Sequence, residues 1–140
     1  MGQVFEFVGN HPVLFAALVI ILAMLIMNEF RRHLLGFKEI GPNDAVRMIN
    51  HDGAVVIDVR DDLEFKSGHI INAINAPLGL LEEQVEKLAD YKSKPVIVCC
   101  RSGQKSAKAG SILKRQGFSS IFKLSGGLMA WSGANMPLKK

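Results

Sequence analysis

The sequence predicts an α/β fold, a central parallel sheet flanked by helices, preceded by one transmembrane helix. Three observations lead there. Phe7 to Asn28 forms an uncharged stretch of 22 residues. After it, short apolar runs alternate with amphipathic stretches, the signature of parallel strands joined by crossover helices. The length of 140 residues, 49% of them hydrophobic, suits one compact domain and is too short for two of ordinary size. So apolar a composition excludes intrinsic disorder. The only cysteines, Cys99 and Cys100, are adjacent and poorly placed to bridge, which excludes a disulfide-stapled secreted fold and leaves a thiol role or a packing role.

Taken in order, the uncharged run comes first. At about 1.5 Å per residue it would reach roughly 33 Å as a helix, enough for a hydrocarbon core of about 30 Å. Every residue from Val13 to Met27 is apolar, so no polar face exists to suit the surface of a soluble protein. A cleaved signal peptide would need a basic stretch before the run and a small-residue cleavage site after it, and neither is present. The expectation is an uncleaved membrane anchor over residues 7–28. Arg31, Arg32 and Lys38 follow the span while only Glu6 and the amino terminus precede it, so the positive-inside rule puts the rest in the cytoplasm. The chain is thereby read as a single-pass inner-membrane protein, with anchor and flank at 1–36 and a soluble domain at 37–140.

Within the domain, Ala54–Val59, Pro95–Cys99 and Ser120–Leu124 read as strands, with shorter ones at Lys38–Ile40 and Ala73–Asn75. Helices fit Asn43–Asn50 after Pro42, Leu80–Tyr91, Ser106–Gln116 before Gly117, and Leu128–Ala134. Charge divides the domain. Five cations stand against eleven acids from Phe37 to Tyr91, whereas ten cations and no acid follow Tyr91. Nucleic acid is the bland partner for a basic stretch, but Phe118, Phe122 and Trp131 are spaced as core residues and no nucleic-acid-binding signature is present, so none is expected.

The basic half contains the stretch with the clearest chemistry. Pro95–Cys99 runs into CRSGQKSA and then a helix, an arrangement that points backbone N–H groups at a common anion. Cys100 stands at the carboxyl end of a parallel strand, where ligands of open α/β sheets bind. The loop amides, the helix N-terminus, Arg101 and Lys105 all favour thiolate over thiol, lowering the Cys100 pKa as a nucleophile requires. Gly103 permits the tight turn and Lys105 is placed to meet an anionic substrate. The competing reading is a small buried hydrophobe, which a cation-rich loop suits poorly.

The segments IDVRDDLEFKSGHIINAINAP, VCCRSGQKSAKA and LSGGLMAW, in that order, resemble a single-domain rhodanese, the sulfurtransferase family, over essentially all of Ile40 to Pro137. The resemblance implies a cysteine, here Cys100, that takes a sulfane sulfur as a persulfide and hands it to a thiophilic acceptor. Arg101, Ser102, Gly103, Gln104 and Lys105 fall on the loop that holds the persulfide and the donor's anionic group, with Ser106 in support. Counting Cys100 to Lys105 gives six residues, the sulfurtransferase length, where related phosphatase domains use one more. Lys105 departs from the arginine common in the family, keeping the charge but losing the bidentate fork. The implied partners are a small anionic sulfur donor and a thiol, cyanide or protein-cysteine acceptor, with no cofactor. A non-catalytic membrane adaptor that uses the cationic pocket to bind a protein is the alternative.

Asp58 and Arg60 match the family's DxR at a strand end and are read as supporting residues, the carboxylate steadying the neighbouring loop and Arg60 pairing with Glu64. His69, in the GHI element, is read as stabilising a turn rather than as a base, because a thiolate already formed needs none. Cys99 alternates with Cys100, so its side chain should pack on the other side of the sheet, a resolving-thiol role being the less favoured alternative. Trp131, after Gly126 and Gly127, reads as core rather than as a substrate platform, with the loop around it expected to line one wall of the pocket. No His/Cys cluster has metal-ligand spacing, so no metal is expected.

Overall fold

The computed structural model describes residues 1–35 and 37–140, excepting the side chains of 4, 5 and 31–35. The expected cationic flank at Arg31 and Arg32 and the boundary at Gly36 therefore lie outside the described residues. Contacts divide the chain into two units, Met1–Gly36 and Phe37–Lys140.

In the first unit, helix α1 (Gly2–Asn10) ends at His11 and helix α2 (Pro12–Leu35) begins at the next residue. This corrects the expectation of one span over 7–28, because Phe7–Asn10 belong to α1. Proline is the reason: Pro12 has no N–H to donate back into α1, while its fixed φ suits the first position of a new helix. Within α2, Pro12–Phe30 is long and apolar enough to cross a membrane, and none of that window is buried.

The second unit is built on a five-stranded sheet of order β1-β5-β4-β2-β3, with every pair parallel: β1 (Lys38–Ile40), β2 (Val55–Asp58), β3 (Ile74–Asn75), β4 (Pro95–Cys99) and β5 (Ser120–Leu124). Central β4 is apolar on both faces, and Val96, Ile97, Val98 and Cys99 are all fully buried. One face packs Val96, Val98 and Cys100 with Leu113 and Ile112 of α6 (Gln104–Arg115) and Leu81 of α5 (Leu81–Gln84). The other packs Ile97 and Cys99 with Ala45 and Met48 of α3 (Pro42–His51) and Leu128 and Trp131 of α7 (Gly127–Gly133). Cys99 and Cys100 thus lie on opposite faces, as strand alternation requires.

Two elements differ from the sequence expectation. Leu80–Tyr91 is not one α-helix, since 3₁₀ turns at Leu78–Leu80 and Val85–Tyr91 flank the single α-turn of α5. Val85, Leu88 and Tyr91 recur every third residue and all face the core, a spacing that three residues per turn satisfies better than 3.6. The stretch after β2 contains an unforeseen helix, α4 (Asp62–Ser67), with no buried residue. It has no apolar periodicity to reveal it, and acids in its first turn and a 2.7 Å Asp62–Lys66 pair support it instead.

Candidate active site

In a wholly parallel sheet all carboxyl ends lie on one edge, and central β4 delivers Cys100 to the middle of that edge. Helix α6 begins at Gln104, two residues before its expected start, so Gln104 and Lys105 belong to its first turn. Gly103 caps it with φ +94°, the left-handed region that suits glycine, and its amide donates to Cys100 Sγ at 3.0 Å. The remaining donors near the sulfur are amides of a helix N-terminus that have no intrahelical partner.

Burial pushes the Cys100 thiol up. The amides of Lys105, Ser106 and Gly103, together with the nearby Ser106 side chain, favour the charged sulfur and outweigh it, leaving the group below its ordinary value. Arg101 and Lys105, expected to act through their charge, do not figure among these causes, and both are exposed. Their side chains sit in solvent, where a cation stabilises a thiolate less than an aimed amide does. Ser102 and Gln104 are exposed as well, and Ser106 is buried. Cys99 behaves oppositely, since burial raises its thiol well above the ordinary value and the Asp58 charge adds to it.

The loop is held from behind by the residues around Gly126 and Gly127, a segment that the sequence placed along a wall of the pocket without the bonds that hold it there. The N–H of Leu128 donates to Cys100 O at 2.8 Å and that of Met129 to Arg101 O at 3.1 Å. Those two carbonyls are thereby fastened to the first turn of α7. Gly126 and Gly127 have φ of +71° and +58°, and a Cβ on Gly127 would overlap the carbonyl oxygens of Cys100 and Arg101. Two consecutive glycines after a strand were the available signal. Trp131 is core, its Nε1–H donating to Pro137 O at 3.1 Å.

The β2 end is closed upon itself. Asp58 accepts from Arg60 N (3.0 Å), Nε (3.0 Å) and Nη2 (2.7 Å), and Nη2 also donates to Gly68 O at 2.8 Å. The expected Arg60–Glu64 pair is therefore corrected to Arg60–Asp58. A carboxylate two residues back along an extended strand end takes the guanidinium in bidentate fashion and keeps it buried, while half-buried Glu64 adds only a smaller charge interaction. Burial opposes the Arg60 charge, but its hydrogen bonds and charge interaction with Asp58 prevail and raise its pKa. Asn75 Nδ2 bonds Arg60 O at 3.0 Å, so β3 is fastened to the same turn. The partners of His69 are also structural: its ring stacks on Phe65 with centroids 3.9 Å apart, Nδ1 lies 2.8 Å from Phe65 O, and its backbone bridges to Lys139. Among the described residues no group of three or more His, Cys, Asp or Glu could hold a metal.

A parallel α/β domain with a cysteine seated in helix-N-terminal amides at the edge of its central strand defines a class, that of α/β domains with a cysteine-headed loop. Comparison with known proteins narrows the class. The model of the rhodanese-like domain matches residues 41–134. The chain is 35% identical over 139 residues to the Escherichia coli protein YibN, itself described as uncharacterized, covering 99% of this chain and 97% of that one. It is also 35% identical over 104 residues to the thiosulfate sulfurtransferase GlpE of Haemophilus influenzae, covering 74% of this chain and 96% of that one. A crystal structure of a rhodanese-related protein from Thermoplasma volcanium superposes with a TM-score of 0.66 at 30% identity, covering 74% and 98% of the two chains. The protein belongs to the rhodanese-like family.

Proposed function

We propose that the protein is a sulfurtransferase whose Cys100 carries a sulfane sulfur between a small anionic donor and a thiophilic acceptor. The observation that carries this reading is the 3.0 Å hydrogen bond from the Gly103 amide to Cys100 Sγ, made by one of several donors converging on a thiol whose pKa they lower. The thiolate attacks the outer sulfur of thiosulfate or of a persulfide. The Sγ–S bond forms as the donor's S–S bond breaks, and sulfite or a thiolate leaves with the bonding pair. Cyanide, a small thiol or a protein cysteine then attacks the outer sulfur of the persulfide, and Cys100 departs as thiolate. No oxidant, reductant or cofactor enters. The amides cradle the extra sulfur's charge, and Arg101 and Lys105 attract the anionic donor to the rim.

Residues 37–140 form the catalytic unit in this reading, and α2 ties it to the inner membrane with the domain in the cytoplasm, the side that basic residues after the span favour. Transfer of sulfur from thiosulfate to cyanide, followed as thiocyanate, tests the activity. Deleting residues 1–36 should leave that rate within about twofold and release the protein from the membrane fraction, since the reacting groups all lie beyond the deletion. Loss of turnover would contradict a pure anchor.

A further inference from the structure

Among the described residues of the second unit, five large apolar side chains stand exposed: Leu63, Ile71, Leu80, Met129 and Leu138. Single exposed apolar residues are ordinary, but three of these five gather at one place. Leu63 follows the carboxyl end of β2, Leu80 that of β3 and Met129 that of β5, the sheet edge at which Cys100 leaves β4. Backbone hydrogen bonds fasten their segments to the reactive loop and to one another. Met129 N–H donates to Arg101 O at 3.1 Å, Val59 N–H to Cys99 O at 3.0 Å, and Leu78 N–H to Val59 O at 3.1 Å. With strands about 4.8 Å apart, the three side chains spread over about 15 Å, and β4 with its cysteine lies between β5 and the other two. Leu63 is 82% exposed and Met129 63%, so neither contributes much to the core. Ile71 and Leu138 lie apart from this edge, before the amino end of β3 and near the C-terminus.

Charge at the edge points to what covers these side chains. Arg101 and Lys105 are exposed on the β4 side, whereas Asp61 beside Leu63 and Glu83 beyond Leu80 are exposed on the other, with no ion-pair partner among the described residues. An anionic lipid surface would meet those acids as well as the cations, and a small anion would use none of the apolar side chains. A protein meets all of these features, with apolar residues around its own cysteine and charges of opposite sign to either side. We propose that this edge is a docking surface for a protein, and that the acceptor of sulfur from Cys100 is a cysteine flanked by apolar side chains on that protein. The transfer rests on the sulfurtransferase reading; the docking does not. The partner's thiolate attacks the outer sulfur of the Cys100 persulfide, the bond between the two sulfurs of that persulfide breaks, Cys100 departs as thiolate with the bonding pair, and the partner carries the new persulfide.

The probes are two acceptor peptides, acetyl-Leu-Cys-Leu-amide and acetyl-Ser-Cys-Ser-amide, given to the thiosulfate-loaded full chain in phosphatidylcholine nanodiscs. Peptide persulfide is read by mass spectrometry, with cyanide as the reference acceptor. Wild type should serve the leucine peptide about tenfold faster at equal thiolate concentration, the effect of partly burying two leucines. In Leu63→Ser/Leu80→Ser the ratio should fall to within about twofold of unity, with the rate to cyanide within about twofold of wild type. Ile71→Ser, away from the edge, should keep the preference. Iodoacetyl-Leu-Leu-amide and iodoacetyl-Ser-Ser-amide, which alkylate Cys100 without any transfer of sulfur, should show the same preference and the same loss of it. Equal rates for both peptides in wild type, or a preference that outlasts Leu63→Ser/Leu80→Ser, would overturn the proposal. So would a preference lost when phosphatidylglycerol replaces phosphatidylcholine, because the bilayer then covers the edge, or a dimer in detergent that Leu63→Ser/Leu80→Ser converts to monomer, because a second copy then does. An alkylation preference in wild type that takes no sulfur from thiosulfate would end the sulfurtransferase reading and leave the docking surface standing.

Discussion

Neighbouring strands β2 and β4 end on the same edge of the sheet, in Asp58-Val59-Arg60 and Cys99-Cys100-Arg101, and the two ends are built for opposite purposes. At β2 every strong polar group is spoken for: Asp58 is wrapped by Arg60, and Arg60 and Asn75 close the remaining carbonyls. At β4 the donors converge on a single sulfur. Saturated hydrogen bonding fixes a backbone, while donors aimed at one sulfur favour its charged form. Residues at the first end should therefore answer to stability measurements and those at the second to activity measurements.

Cys100→Ser breaks the comparison at its reactive end. Thiocyanate formation should fall by at least about 10³-fold, since a hydroxyl is not a thiolate and carries no sulfane sulfur, while the melting temperature stays close to that of wild type. Cys99→Ala, one residue away on the other face, should keep the rate within about threefold. Asp58→Ala tests the closed end. It strands the Arg60 charge in a buried site and should cost about 3–5 kcal/mol in urea unfolding, with the rate per folded molecule little changed. If Asp58→Ala instead abolished turnover in fully folded protein, the division between the two ends would fail.

Gly127→Ala should couple them. A Cβ there would push on the Cys100 and Arg101 carbonyls, so turnover should drop about tenfold or more, with a stability loss of about 1–3 kcal/mol from the left-handed backbone alone. The pH profile sharpens the contrast between the thiols. Cys100 has a folded-state pKa below the ordinary value, so its alkylation should rise with pH and level off before a free thiol's would, and the stability that its thiolate contributes should disappear as pH falls through that lowered value. Cys99 should stay unlabelled until the domain unfolds. The smallest effect belongs to Lys105→Ala, which should raise KM for thiosulfate about three- to tenfold at low salt with little change in kcat, an effect that salt erases because the side chain is exposed.

What the sequence disclosed followed what the chain must bury. Strand β4 is legible to the residue because a central parallel strand under two helical layers is a continuous apolar run, and the Cys100 loop is legible because cations cluster after a strand that ends in cysteine. Helix α4 was not, since it buries nothing and leaves no period. Winding at Val85–Tyr91 was missed because residues spaced by three also fit one face of an α-helix. The Arg60 partner needed three dimensions, Glu64 being as suitable by spacing as Asp58. Gly127 is the instructive case: its dipeptide was visible, but its function is to give way to carbonyls 26 and 27 residues earlier in the chain.

Sulfur transfer depends on one bond, that between Cys100 Sγ and a transferred sulfur. Intact mass spectrometry of the full chain before and after thiosulfate, with Cys100→Ser and Cys99→Ser in parallel, reads it directly. A gain of about 32 Da, one sulfur atom, that survives in Cys99→Ser, disappears in Cys100→Ser and is removed by cyanide is the predicted result. Absence of the adduct with thiosulfate and with small-molecule persulfides alike, in folded protein, would contradict the account and leave the domain as a binding module; an adduct requiring both cysteines would replace sulfur transfer with dithiol redox chemistry.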